Sequence, residues 1–213
     1  RRVFNNNSFH EGGRFYGGWW QRIDSKFRKD IRMNNVPTVE IDYSSLHVIL
    51  AYSEAKLDYW QRTDKDPYDL PVRGVNSKEH CRDICKLFLL LSLNASTEQS
   101  LFRAFRSELD YREYAYSFPD DVLSELLDTI REHHSEIEHL ICSGAGLRLM
   151  NIDSRICEYV ISEFMKTDTP ILTVHDSFIV QIGEEDRLYT AMKEGFQLVT
   201  NKLGIKAKYN ENL

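Results

Sequence analysis

Apolar and polar positions alternate through Thr38-Val39-Glu40-Ile41-Asp42, just after Pro37, with the two-residue period of a strand that has one face buried. Behind it the period lengthens. Leu46, Ile49 and Leu50 mark a helix over residues 45–55, and the charged, aromatic stretch 56–75 reads as connection. Asn76 and Glu79 have the three-residue spacing of a capping box, and Ile84, Leu87, Phe88 and Leu91 give the following helix an apolar face. A short helix is expected over 98–110, and a long one over 120–141, where Val122, Leu126, Ile130, Ile137 and Ile141 stay in register. Gly144 and Gly146 break it before a further helix outlined by Leu149, Ile152, Ile156, Val160 and Phe164. Past Pro170, Ile171–His175 and Phe178–Ile182 are two β-rich runs with Asp176 and Ser177 between them, a hairpin with an acid at its tip. A last amphipathic helix runs through Leu188, Met192, Phe196, Val199 and Leu203, and residues 4–20 read as loop or short strands. The sum is an α+β chain with a small antiparallel sheet.

At 213 residues and 42% hydrophobic content the chain can bury a real core, and no eighteen-residue apolar run spans a membrane. Arg1-Arg2-Val3-Phe4 has neither Met nor a signal-peptide core and reads as the start of a fragment or processed product. Cys81, Cys85, Cys142 and Cys157 form no CxxC pair, which fits reduced thiols in a cytoplasmic protein. The net charge of −6 argues against coating nucleic acid by bulk electrostatics, but it is unevenly spread. Residues 1–34 hold eight Lys or Arg against three acids, so a basic, aromatic opening joins an acidic body.

Chemistry is suggested first by Asp42 and Asp176, one leaving a strand and the other on a tight turn. If those strands are neighbours, two like charges lie close together, which is costly unless cations share them. A pair of Mg²⁺ ions, about 3.5–4 Å apart, would offset the repulsion and clamp both oxygens of a phosphoryl transfer. Each acid taken alone is also an ordinary turn residue. Arg82 and Lys86, four apart on the capped helix, make a cationic edge able to hold a triphosphate, or a solvated face. The side chains continuing it, Leu89, Leu90 and Leu93, are apolar. Trp19-Trp20 beside Phe15 and Tyr16 either stacks on bases or packs beneath the sheet. Glu40 shares the strand face of Asp42 and reads as a surface carboxylate or a third acid. His133 and His134 fall near the apolar face of their helix and read as packed or half-exposed residues rather than ligands.

The order Gly13-Arg14…Gln21…Arg28, then Asp42-Tyr43-Ser44-Ser45-Leu46, then Arg82-x₃-Lys86, then Val174-His175-Asp176-Ser177-Phe178 resembles the family A nucleic acid polymerases, over residues 12–200. That resemblance implies a palm from 1–56 and 143–213 and a fingers-like helical insertion over 57–142. It implies Asp42 and Asp176 as ligands of two Mg²⁺ (or Mn²⁺) ions, with the backbone carbonyl of Tyr43 completing one shell. Arg82 and Lys86 would grip the triphosphate, Lys86 also serving as general acid toward pyrophosphate. Leu90, Asn94 and His47 would line the nucleotide site. Arg14, Gln21 and His175, with Arg28 as a neighbour, would touch the primer–template. The implied function is template-directed nucleotidyl transfer from an NTP or dNTP to a 3′-hydroxyl, with DNA polymerase favoured over RNA polymerase or primase.

Several positions depart from the family pattern. Asn94-Ala95 replaces a Tyr-Gly pair and Leu90 an aromatic or Met, which puts stacking of the nascent base pair in doubt. His47 stands where the DNA polymerases carry a sugar-gating Glu, and Ser177-Phe178 matches the RNA polymerases. With no thumb evident and only eleven residues before Gly12, a short-product enzyme such as a primase or gap filler fits, as does an upstream domain or other replication protein supplying the rest. Two further readings stand beside this one. The first is a degenerate polymerase fold that binds nucleic acid without catalysis. The second is an HD-type metal phosphohydrolase built on His175-Asp176, whose dyad belongs on a helix rather than after a strand.

Overall fold

A computed structural model describes residues 1–109 and 118–210; Asp110, the end of the helix expected over 98–110, lies outside them. In chain order the elements are β1 (Arg2–Asn5), β2 (Ser8–Phe15), a 3₁₀ turn (Trp19–Gln21), α1 (Ser25–Arg28), β3 (Arg32–Met33), β4 (Val36–Tyr43), α2 (Leu46–Glu54), α3 (Tyr59–Arg62), α4 (Lys78–Asn94), α5 (Glu98–Glu108), α6 (Asp120–His133), a second 3₁₀ segment (Ser135–Leu140), α7 (Gly146–Met165), β5 (Leu172–Val174), β6 (Ser177–Gln181), α8 (Glu185–Thr200) and β7 (Ala207–Asn210). The fold is α+β. It divides into two compact units, Arg1–Arg62 with Arg148–Leu213, and Thr63–Leu147.

The first unit is built on an antiparallel sheet, β3-β4-β6-β5, with β7 also paired to β4. Asp42 stands opposite Ser177 on β6 and opposite Lys208 on β7. The pleat sends Ile41 and Tyr43, with Phe178 and Val180 of β6, to a buried face where α8 packs on both strands. The Tyr43 hydroxyl donates to the Met192 carbonyl at 2.6 Å, and its ring meets Phe178 edge-on. The alternate positions Thr38, Glu40 and Asp42 share the other face with Ser177 and Ile179. There Ile179 packs with Ile31, Met33 and the half-buried Trp20, Ile23, Leu172 and Val174.

Two hairpins in this unit turn on paired asparagines. Asn6-Asn7 joins β1 to β2 and Asn34-Asn35 joins β3 to β4, and all four residues have positive φ, between 51° and 63°. Two successive left-handed residues are what the favoured two-residue hairpin turn requires, and Asn tolerates that conformation. The loop or short strands expected over 4–20 are therefore an ordered hairpin and a 3₁₀ turn.

The second unit is helical. Phe88 lies edge-on to Phe105 at 5.2 Å, and Phe105 to Phe118 at 5.3 Å. Ile84, Leu101, Leu123 and Ile130 are buried with them. Each such side chain contributes about 1.5–3 kcal/mol on burial.

Local chemistry moved several boundaries. The cap of α4 is Ser77, whose hydroxyl accepts from the His80 amide at 3.3 Å, not Asn76. The helix expected over 120–141 stops at His133, because His134 leaves helical geometry at φ −112°, ψ 40°. The His134 ring is buried, 2.9 Å from the Pro67 carbonyl, and the chain continues as a 3₁₀ segment. The connection 56–75 contains the helical turn α3. The last helix ends at Thr200, closed by left-handed Asn201, so Leu203 lies beyond it and is exposed. Val174 pairs with Ser177, so the turn residues of the last hairpin are His175 and Asp176, not Asp176 and Ser177.

Candidate active site

The polar cluster around Asp42 and Asp176 belongs wholly to the first unit. Asp42 is the last inward-alternating acid of β4, and its Oδ1 is shielded from solvent. Asp176 caps the β5–β6 hairpin one residue from the position directly across from Asp42. The Tyr43 amide reaches the Asp176 carbonyl at 3.5 Å, so both acids sit at the same end of adjacent strands. Tyr43 sends its side chain into the core, where burial pushes its phenol well up, assisted by the charges of Asp153, Cys157 and Asp176. What Tyr43 presents at the strand end is backbone. Two residues on, left-handed Ser45 (φ 61°) turns the chain into α2, the helix that carries His47.

His47 and Arg14 meet at 3.3 Å between ring Nε2 and guanidinium Nη2. Arginine has no acceptor, so the His47 ring must accept there, which places its proton on Nδ1. Burial and the Arg14 charge agree with a neutral ring: they lower the His47 value to about 4 against the pull of Asp176. Arg14 also donates from Nε to Asp153 on α7 at 2.7 Å. Asp153 is only 2% exposed in its side chain. Burial raises its carboxyl to about 6, against the lowering effect of Arg14 and with a further push from Asp176. His175, at φ 58°, lies beside them. Its Nδ1 is buried without a hydrogen-bond partner among the described residues, and burial then Arg14 lower its value. Arg14, His47, Asp153, His175 and Asp176 thus form one electrostatically linked set next to Asp42.

Other residues singled out in the sequence hold the frame. Gln21 donates to the carbonyls of Phe15 and Thr173 and accepts from the amides of Gly17 and Gly18, a clamp between the 3₁₀ turn and β5. Arg28 pairs with Glu40 at 2.9 Å, and Glu40 also accepts from the Ser177 hydroxyl at 2.6 Å. Glu40 is buried, which corrects its reading as a surface carboxylate; the Arg28 charge and the Ser177 hydrogen bond offset its desolvation. Trp20 is a packing residue whose indole donates to the Thr173 carbonyl, whereas Trp19 is 59% exposed.

In the second unit, Arg82, Lys86, Leu90 and Asn94 fall on one row of α4. Arg82 is engaged by Asp66 at 2.7 Å and lies over the Tyr68 ring. Lys86 is exposed, Leu90 half-buried, and Asn94 turns its amide back to the Leu90 carbonyl. Leu89 and Leu93 point into the core and do not extend the cationic edge. His134 is packed and His133 is exposed, and His175-Asp176 sits on a hairpin turn, unlike the helical dyad of an HD-type site.

Asp153 had a signal in the sequence: it interrupts the apolar stripe of Leu149, Ile156 and Val160, where an acid needs a buried partner. Lys208 had none. It reaches the cross-strand position beside Asp42 only because β7 returns to β4, and it is exposed there.

No family model and no curated protein matches the sequence. Among solved structures, the chain is similar to the POL domain of Pol1 from M. smegmatis, in complex with DNA primer-template and dNTP, with a TM-score of 0.49 and 12% identity. The likeness covers 88% of this chain and 43% of that one, so the chain spans under half the length of that polymerase domain.

Proposed function

We propose that the chain is a template-directed nucleotidyltransferase that joins nucleoside triphosphates to a 3′-hydroxyl, with Asp42 and Asp176 as its metal-binding acids. The observation that carries this reading is their placement at one end of neighbouring strands β4 and β6, beside Arg14, His47, Asp153 and His175. Among the described residues no group of three or more His, Cys, Asp or Glu is arranged to hold a metal. Two carboxylates and the Tyr43 carbonyl are an all-oxygen donor set, and Mg²⁺ commonly takes one or two carboxylates with substrate phosphates and water filling the rest. The residues fit the ion on those terms. When bound, a metal pair would neutralise the charge developing on the attacking and leaving oxygens.

The chain's own groups supply positioning. Asp153 and neutral His47 fix the Arg14 guanidinium in two directions, leaving its remaining N–H groups fixed donors for a nucleic-acid strand. His175 presents its ring from a strained turn beside Asp176. Of the α4 cations, Lys86 is the one available to an anionic ligand, because Asp66 already engages Arg82.

The test is incorporation of labelled dNTPs or NTPs on a primed template with Mg²⁺ or Mn²⁺. Extension that Asp42→Asn or Asp176→Asn lowers by about three orders of magnitude is the expected result. Tight template binding with no incorporation under either metal would convert the chain into a non-catalytic binding module, the reading favoured by the Asp66 neutralisation of Arg82 and by Asn94 and Leu90. Omitting the primer separates primase from polymerase.

A further inference from the structure

Beyond the acidic cluster, the first unit carries an open cavity of about 420 Å³ at the junction of the 3₁₀ turn, β5 and α7. Its walls come from Tyr16, Trp19, Trp20, Ile161, Ile171 and Thr173. The volume falls within the range of about 300–1,000 Å³ usual for ligand sites. We infer that this cavity holds an unpaired base of a nucleic-acid strand, stacked on the indole of Trp19.

Part of the wall's hydrogen-bonding capacity is spent on holding the loop. The Trp20 indole N–H donates to Thr173, and the Gln21 amide ties the Gly17 and Gly18 amides to the carbonyls of Phe15 and Thr173. Those bonds hold the loop in place, so the rings are pre-set. Gly18 tightens it further: a Cβ there would come within 2.3 Å of the Trp20 ring. What these bonds leave for a ligand is the flat aromatic surface of Tyr16 and Trp19, the aliphatic side chains of Ile161 and Ile171, and Arg1. Such a surface binds planar rings by stacking and tolerates any base sequence.

Two observations select a nucleic-acid strand over an apolar peptide. The surroundings are basic: Arg1 lines the cavity and exposed Arg22 directly follows the turn. The cavity also adjoins the acidic hairpin, for the Tyr16 ring stands edge-on to His175 with centroids 5.7 Å apart. A strand lying along the hairpin therefore has a place beside it to park a base that is not paired. Trp19, the most exposed ring of the set, is the stacking platform, and fixed Trp20, at 83° to it, is the side wall.

This inference deepens the polymerase reading, since both need a nucleic-acid ligand, but its test reads binding alone. Fluorescein-labelled oligodeoxythymidylate and an abasic oligonucleotide of the same length, with equal phosphate charge, are titrated in EDTA and followed by anisotropy. Wild type should prefer the base-bearing strand. Trp19→Ala should weaken that binding by roughly 5- to 140-fold while leaving the abasic strand unchanged, and Trp19→Phe should keep most of the preference. Circular dichroism checks that the variants are folded. Equal affinity of wild type for the two oligonucleotides, or a preference that survives Trp19→Ala, overturns the inference. A preference for the base-bearing strand in a protein that incorporates no nucleotide would leave this site standing while the catalytic reading fell.

Discussion

The Arg14–Asp153 pair allows the energetics of the cluster to be tested directly. Its side chains are 14% and 2% exposed and meet at 2.7 Å, so neither charge is adequately hydrated once the other is gone. Removing one member of a buried pair costs about 3–5 kcal/mol, because the survivor keeps its desolvation penalty and loses its partner. Arg14→Met and Asp153→Leu should each lose that much, equivalent to roughly 6–20 °C in Tm for a chain of this size. The double variant should lose clearly less than the two single losses added, since no uncompensated charge is left. Urea unfolding of all four proteins at one pH gives the coupling energy. Arg14→Met carries a further signature. Asp153 is raised to about 6 from an ordinary 3.8 even with Arg14 present. Without that cation it rises further. The folded variant then holds a proton that the unfolded chain releases, so its stability falls as pH rises through and beyond 6. The Arg14→Met defect is expected to be smaller at pH 5 than at pH 8. Single losses under about 1 kcal/mol, or losses that add to within about 0.5 kcal/mol in the double variant, would refute the picture of a desolvated, mutually dependent pair.

Two other outcomes follow from the geometry. On the proposed reading of Lys86 as a triphosphate contact, Lys86→Ala should lower kcat/KM for the nucleotide by roughly 10- to 150-fold, the worth of one charge-assisted contact to phosphate; unchanged kinetics would refute that reading. His134, lowered to about 4 from 6.5 chiefly by burial, takes up a proton on unfolding between those values, so it withdraws roughly 3 kcal/mol of stability as pH falls from 6.5 to 4. Across that range wild type should lose more stability than His134→Gln as pH falls, read from denaturant midpoints, and parallel curves would show that the ring is not held neutral.

Much of this arrangement could be read from side-chain periodicity. The strand over 38–42, the following helix, α4, α7, α8 and the β5–β6 hairpin each declared themselves because one face of each must be buried. The pair Asp42 and Asp176 was legible for the same reason, each acid standing at the edge of an apolar run. What stayed hidden was set by partners distant in sequence. Glu40 looked solvent-facing because nothing near it announces Arg28 and Ser177. The break at His134 depends on a carbonyl contributed by Pro67. β7 is four residues long with little apolar character, and only its pairing to β4 makes it a strand. Trp19 and Trp20 are identical in type and adjacent, and only the fold assigns one to the interior and one to solvent. The double-asparagine turns, by contrast, carried a local signal in plain view.

The sheet of the first unit is stitched from two stretches of chain separated by the whole of the second unit. During synthesis, β4 leaves the ribosome with Asp42 in place long before β6 and β7 exist to cover its flanks. A helical unit with its own aromatic interior is completed in the meantime and can fold as it emerges. Until the later strands arrive, β4 offers bare amides and carbonyls to any passing strand, which is the circumstance in which nascent chains aggregate or recruit chaperones. Asp42 and Asp176 come to the same end of neighbouring strands only when residues 172–210 close the sheet.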